Sequence, residues 1–183
     1  KMEKVEAIFS KLSEHQTDVS AMQFSKHLEF FKATVGMWSQ RLRSMTMHLT
    51  LITELGNEIE QMSHWYLVES RTRFDLEDDT RMFELLFFQW QRFVIDLRDE
   101  PNVLAVCSAS ERLESLKQML QIAEQCKMAL EGWVDCVRFE FPRLYFLSND
   151  ELLAATVRSD PLSSHQYLPK LFAGIRKLHS DTQ

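Results

Sequence analysis

A heptad-like run over residues 110–138 most constrains what this chain can fold into. Residues recur there at alternating intervals of three and four, and all but one are apolar: Leu113, Leu116, Leu120, Ala123, Lys127, Leu130, Val134 and Val137. This spacing places their side chains on one face of an α-helix. At 1.5 Å per residue the helix would be about 44 Å long. The run therefore predicts a long helix whose apolar face packs against other helices.

The rest of the chain repeats this periodicity. It predicts helices over residues 1–23, 25–67 and 75–100, the last ending before Pro101. Gly56 costs about 1 kcal/mol relative to alanine, so residues 25–67 form either one bent helix or two. Only four glycines and four prolines occur in 183 residues. The expected fold is all-α, an elongated bundle of long antiparallel helices, with residues 1–183 forming a single domain that is a fragment of a larger chain.

An apolar segment follows the heptad run and predicts a short extended plug at residues 139–147. Pro142 cannot donate a hydrogen bond to a helix, and it restricts Phe141 to extended backbone geometry. Residues 144–147 are aromatic or aliphatic, and each such side chain contributes roughly 1.5–3 kcal/mol when fully buried. We therefore expect the plug to be buried between two helices.

Two Ser-x-x-Glu patterns predict capping boxes at helix starts. Ser108 and Glu111 would cap the heptad helix, and Ser148 and Glu151 would cap a short helix over residues 149–157. A last helix is expected over residues 167–178, after a break at 159–161. Residues 68–75 are expected to form a loop and 101–107 a connector.

Composition and motifs exclude several classes of function. The net charge of −6 disfavours a nucleic-acid surface, which requires clustered cations. Neither common nucleotide-binding glycine loop is present, and the histidines and cysteines lack metal-site spacing. No apolar run reaches the roughly 18 residues that a membrane-spanning helix needs. We therefore predict no catalytic, cofactor-binding or metal-binding residue, and no contact with nucleic acid or membrane. The three cysteines are expected to be reduced thiols.

One continuous segment carries a resemblance to a known family: Phe141, Pro142, Arg143, Leu144, Tyr145, Phe146, Leu147, Ser148, Asn149, Asp150, Glu151 and Leu152. This signature segment resembles the linker region of dynein heavy chains. Residues 12–16, 25–42, 61–67, 76–90 and 160–162 resemble further motifs of the family in the same order. Two features depart from its pattern: residues 68–75 are shorter than usual, and Pro169 replaces a helical lysine.

The resemblance implies a mechanical role with no active site in this segment. A dynein linker is the helical lever that lies across the AAA+ ring, so the ATP and magnesium sites would belong to the ring. The implied partners are that ring, the remaining linker and other dynein subunits, with no direct microtubule contact. The implied location is the cytoplasm and cytoskeleton. Residues 148–151 look more like axonemal than cytoplasmic dyneins, which favours the axoneme of a cilium or flagellum.

Two other classes of function remain open from the residues alone. A spectrin-like helical scaffold or partner-binding module, unrelated to motors, would also use a heptad face. An enzyme is the third class, but no residue can be nominated for catalysis.

Overall fold

The structure is a computed structural model that describes residues 2–26, 28–68, 70–149, 151–152, 155 and 166–175. All regular structure in these ranges is helical, which confirms the predicted all-α class. The elements are α1 (Met2–Met22), α2 (Leu28–Leu67), α3 (Ser70–Asp75), α4 (Glu77–Asp99), α5 (Val103–Ser108), α6 (Ser110–Glu140), a 3₁₀ helix (Pro142–Phe146) and α7 (Leu168–Leu171).

The longest helix, α2, is continuous over 40 residues. Gly56 lies within it and does not break it. A Cβ atom added at Gly56 would lie 3.3 Å from Cζ2 of Trp90, which is tighter than ordinary van der Waals contact. A glycine here therefore permits close approach of the Trp90 ring. Of the two possibilities for residues 25–67, one helix or two, the structure shows one.

Two expected loops contain short helices. The loop predicted over residues 68–75 includes α3, in which Thr72 is buried. The connector predicted over 101–107 includes α5, which begins because Asn102 caps it. Asn102 Oδ1 accepts hydrogen bonds from the backbone N–H groups of Leu104 (3.1 Å) and Ala105 (3.4 Å). The predicted stop before Pro101 is confirmed, since α4 ends at Asp99.

The chain divides into two compact units. The first comprises residues 1–57 and 89–121, and the second comprises residues 58–88 and 122–183. The expectation of a single domain over 1–183 stays a prediction.

The first unit has an apolar core that includes a buried histidine. Its buried residues are Val35, Leu42, His48, Leu55, Val106, Cys107, Leu116 and Met119. Ser44 Oγ donates a 2.6 Å hydrogen bond to the carbonyl of Cys107, which joins α2 to α5. His48 Nδ1 lies 2.8 Å from the carbonyl of Ser44, so the Nδ1–H tautomer satisfies that carbonyl.

The second unit has its core around an aromatic pair. The rings of Tyr66 and Phe83 are stacked with centroids 4.8 Å apart, and both side chains are fully buried. The Tyr66 hydroxyl donates a 2.6 Å hydrogen bond to the carbonyl of Cys126 on α6. Burial raises the pKa of the Tyr66 phenol well above its usual value, so the phenol remains a donor.

The heptad face of α6 is confirmed by burial. Its predicted members are buried or half-buried, and Met119, Cys126 and Trp133 extend the same stripe. The polar interruption has a partner, because Lys127 Nζ donates to Glu58 Oε1 at 2.8 Å. That hydrogen bond raises the pKa of Lys127, so the ammonium stays charged at neutral pH. Trp133 Nε1 similarly donates to Asp75 Oδ2 at 2.9 Å.

Candidate functional site

The signature segment does not form the extended plug predicted at residues 139–147. Residues 139 and 140 end α6, and Pro142–Phe146 form a 3₁₀ helix. Phe141 leaves helical geometry just before the proline, with φ −134° and ψ 89°, and Leu147 at the other end is extended, with φ −102° and ψ 142°. The backbone then closes i→i+3 hydrogen bonds, from the N–H of Leu144 to the Phe141 carbonyl (2.9 Å) and from the N–H of Leu147 to the Leu144 carbonyl (3.0 Å). Pro142 fits the first turn, where its missing donor is not needed.

The burial predicted for the plug at residues 139–147 is also wrong for most of its side chains. Within it, Phe139 is 83% exposed, Tyr145 is 62% exposed and Phe146 is 69% exposed. Leu147 is buried at 2% exposure, and Leu152 is buried as well. The segment therefore enters the core through its leucines and leaves its rings at the surface.

Two arginines fix the segment to its surroundings. Arg138 Nη2 donates a 2.9 Å hydrogen bond to the carbonyl of Leu147, and its guanidinium lies 5.7 Å from the centre of the Tyr145 ring. Arg143 Nη1 donates a 2.9 Å hydrogen bond to the carbonyl of Leu171 in α7. The Arg143 guanidinium also lies 4.9 Å from the centre of the Phe172 ring, a cation–π distance. The 3₁₀ helix is thus bound to both α6 and α7.

The capping box at Ser148 and Glu151 is confirmed. The N–H of Glu151 donates to Ser148 Oγ (3.2 Å), and the N–H of Ser148 donates to Glu151 Oε2 (3.1 Å). Glu151 also pairs with Lys170. The hydrogen bond from Lys170, with the one from the Ser148 N–H, lowers the pKa of the Glu151 carboxyl below its usual value. Asn149 belongs to the described part of the segment, and Asp150 lies outside the described residues.

Neighbouring side chains not singled out from the sequence complete this site. They are Arg138, Lys170 and Phe172, whose ring centre lies 6.3 Å from that of Phe141. Arg138 sits in the last turn of α6, where a cation can bond to free carbonyls. Its place at the end of the predicted helix could have indicated, from the sequence, that Arg138 bonds to a backbone carbonyl there. Lys170 and Phe172 lie about twenty residues further on, and no local pattern links them to the signature.

Among the described residues, neither a metal site nor an activated buried cysteine is present. No three metal-ligating side chains converge in the described part of the chain. Burial raises the pKa of the Cys126 thiol to about 11 and raises that of Cys107 too, so both are protonated at neutral pH. No helix in the same ranges combines the length and apolar character needed to cross a bilayer.

The sequence matches the family described as "Dynein heavy chain, N-terminal region 2" over residues 1–183. The Chlamydomonas reinhardtii protein named "Dynein-1-beta heavy chain, flagellar inner arm I1 complex" is 28% identical over 179 residues, which are 97% of this chain and 4% of that protein. Human "Dynein axonemal heavy chain 17" is 27% identical over 177 residues, covering 94% of this chain and 4% of that protein.

A cytoplasmic relative also matches. "Cytoplasmic dynein 2 heavy chain 1" of Chlamydomonas reinhardtii is 27% identical over 170 residues, which are 92% of this chain and again 4% of that protein. The chain thus spans about one twenty-fifth of the length of these relatives, and most of those quoted have axonemal or flagellar names. The resemblance found in the signature segment is confirmed, and the chain belongs to the dynein heavy chain family, within its N-terminal region 2.

Proposed function

We propose that this chain forms part of the linker of a dynein motor and acts as a mechanical lever without an active site of its own. The observation that carries the proposal is the continuity of its long helices, 40 residues in α2 and 31 residues in α6. Long helices with a buried face resist bending, so a displacement at one end is transmitted along them.

We assign the remaining functions of the motor to other parts of the heavy chain. We infer that ATP and magnesium are bound by the AAA+ ring, with which this segment and the rest of the linker would interact. Other dynein subunits are further candidate partners, and the microtubule would be contacted elsewhere. Family membership argues against a helical scaffold unrelated to motors.

A lever predicts that helix stiffness matters more than the surface side chains of the helix. Gln121 and Gln125 are exposed residues of α6 and suit this test. Replacing both with glycine should weaken the helix by about 1 kcal/mol per position, whereas replacing both with alanine should not. Because both variants lose the same side chains, they differ only in backbone stiffness.

The measurement is microtubule gliding velocity and ATP hydrolysis rate in the full heavy chain. We expect the glycine variant to hydrolyse ATP near the original rate while gliding falls several-fold, and the alanine variant to behave like the unmodified motor. Helix content by circular dichroism verifies that both variants remain folded. Equal gliding by the folded variants, or a parallel fall of hydrolysis and gliding, would contradict the lever.

We also infer that the parent motor works in an axoneme, within the cytoskeleton of a cilium or flagellum. The support is the naming of its relatives, among them a flagellar inner arm heavy chain and an axonemal heavy chain. Fluorescent tagging of the full heavy chain in ciliated cells tests this. Signal along the axoneme is expected, and signal confined to the cell body would contradict it.

A further inference from the structure

An open groove of about 440 Å³ lies in the first unit, beside the middle of α2. Residues of α2 line one side, and Gln16 of α1 and Lys117 of α6 complete it. Its wall is almost entirely carbon, although several of the residues that line it are polar. Neither the signature segment nor the proposed lever role accounts for this groove.

The polar groups of the lining are already used within the protein. Gln16 Nε2 donates hydrogen bonds to the Leu42 carbonyl (3.3 Å) and to Thr46 Oγ1 (2.9 Å). The hydroxyls of Thr46 and Thr50 donate to the carbonyls four residues earlier, at 3.0 and 2.9 Å. Because these donors are occupied, the lining threonines contribute few free polar groups, and the groove is suited to apolar side chains.

The lining of α2 has helical spacing. Arg43, Met47 and Leu51 follow one another at intervals of four residues, so they lie on one face over successive turns. Met47 is 48% exposed, which is high for an apolar side chain beside a groove. Apolar side chains one turn apart are the arrangement that receives the apolar face of another helix.

Two cations flank the apolar floor. Arg43 makes no hydrogen bond or ion pair with any residue that the structure describes. Lys117 has only a 3.9 Å pair with the exposed Glu114, and such surface pairs contribute little. The 183 residues together carry a net charge of −6. Two cations without strong partners, beside an apolar groove of an otherwise acidic chain, favour a negatively charged partner at this place.

We propose that this groove binds an acidic amphipathic helix of a partner protein. Its apolar side chains, four residues apart, pack over Met47 and Leu51, and its carboxylates pair with Arg43 and Lys117. A fatty acid has the same combination of apolar and anionic groups. The peptide is favoured because the groove is open along its length, so a bound acyl chain would remain largely in water, whereas a helix brings its own solvated face.

The test uses a fluorescent helical peptide of about 18 residues, long enough to be partly helical in water. It carries two leucines four residues apart, with glutamates one turn before and after them, and a second peptide has lysines in place of the glutamates. Fluorescence anisotropy with the purified protein measures both affinities. We expect the acidic peptide to bind about tenfold more tightly, since 1.4 kcal/mol corresponds to a factor of ten.

Charge reversal at the groove provides the decisive comparison. Arg43→Glu with Lys117→Glu should reverse the preference, so that the basic peptide binds more tightly. The matched control is Arg92→Glu with Arg98→Glu, two exposed cations of α4 in the same unit, and it should leave the preference unchanged. Both double variants change the net charge equally, and circular dichroism verifies that they are folded.

Three outcomes would overturn the proposal. The first is equal binding of the two peptides to the unmodified protein. The second is that the control variant reverses the preference as the groove variant does, which would indicate a long-range charge effect only. The third is that oleate binds at the groove, protecting Met47 from oxidation, while the acidic peptide neither binds nor displaces it.

Discussion

Two aromatic regions of the second unit differ in burial. Tyr66 and Phe83 lie on different helices, seventeen residues apart in sequence, and their stacked rings are fully buried. The segment around Phe141, Tyr145 and Phe146 has the greater local density of rings, yet these rings are 41% to 69% exposed. The high local density of apolar residues in this segment therefore predicted buried rings, but the rings are exposed.

The difference follows from backbone geometry. In a 3₁₀ helix, side chains three residues apart lie in one row, so consecutive apolar residues point in three directions. The row of Phe141, Leu144 and Leu147 runs from partly exposed to fully buried, and Tyr145 and Phe146 belong to the other rows. In α2 and α4, by contrast, helical periodicity places Tyr66 and Phe83 on the faces that point into the core. Tyr66 can be buried there because its hydroxyl donates a hydrogen bond.

The largest effect that would test this comparison is the loss of one ring from each region. Phe83→Ala should lower the free energy of unfolding by about 3–5 kcal/mol, because it empties a fully buried aromatic site. Phe146→Ala removes the same atoms from an exposed site and should change it by less than about 0.5 kcal/mol. Urea unfolding followed by circular dichroism measures both.

This expectation reverses the one that a buried plug would give for Phe146. A loss of several kcal/mol in Phe146→Ala would restore the buried plug and contradict the exposed rings. A small loss in Phe83→Ala would instead mean that the Tyr66 stack contributes little to the core.

The next effect concerns the contacts that hold the signature segment in position, since its rings are not buried. Arg138→Met keeps much of the aliphatic length but removes the hydrogen bond to the Leu147 carbonyl, and we expect a loss of about 1.5 kcal/mol. The Arg138 pair with the exposed Asp135, at 3.6 Å, should contribute almost nothing. Asp135→Asn is therefore the control. Equal losses in the two variants would assign the effect to the ion pair and not to the carbonyl.

A smaller effect separates the two Ser-x-x-Glu patterns. Ser148→Ala removes a formed N-cap and should lower stability by about 1 kcal/mol. The box predicted at Ser108 and Glu111 is wrong: Ser108 is the last residue of α5, its hydroxyl donates to the Ala105 carbonyl at 2.9 Å, and α6 begins only at Ser110. Ser108→Ala should therefore cost only a few tenths of a kcal/mol. Equal costs at the two serines, measured by thermal unfolding, would contradict this distinction.

The sequence predicted well what depends on periodicity and on local backbone chemistry. The heptad face of α6, the stop before Pro101 and the cap at Ser148 rest on residues within a turn or two of one another, where spacing alone determines geometry. The all-α class follows from the same periodicity. These predictions needed no knowledge of the tertiary structure.

The sequence predicted poorly what depends on distant partners. The surroundings of the signature segment include Lys170 and Phe172, and only tertiary packing brings them to it. The final helix, expected over residues 167–178, is helical only over Leu168–Leu171. It ends where the backbone of Phe172 turns extended, and residues 176–178 lie outside the described ranges. The predicted break at 159–161 and most of the helix over 149–157 lie outside them as well.

The smallest predicted effect is a titration at the edge of the signature segment. The hydrogen bonds that Glu151 receives from Lys170 and from the Ser148 N–H lower its pKa in the folded protein, whereas the unfolded chain should titrate near the ordinary value of about 4.3. The folded form binds its proton less tightly, so this interaction stabilises the fold fully above that ordinary value and is lost as the pH falls through the lowered pKa. Lys170→Met should raise the Glu151 pKa toward its ordinary value, as followed by NMR of the side-chain carboxyl carbon. Lys11→Met, in the other unit, should leave it unchanged, and an unaltered Glu151 titration in Lys170→Met would show that the cap alone causes the shift.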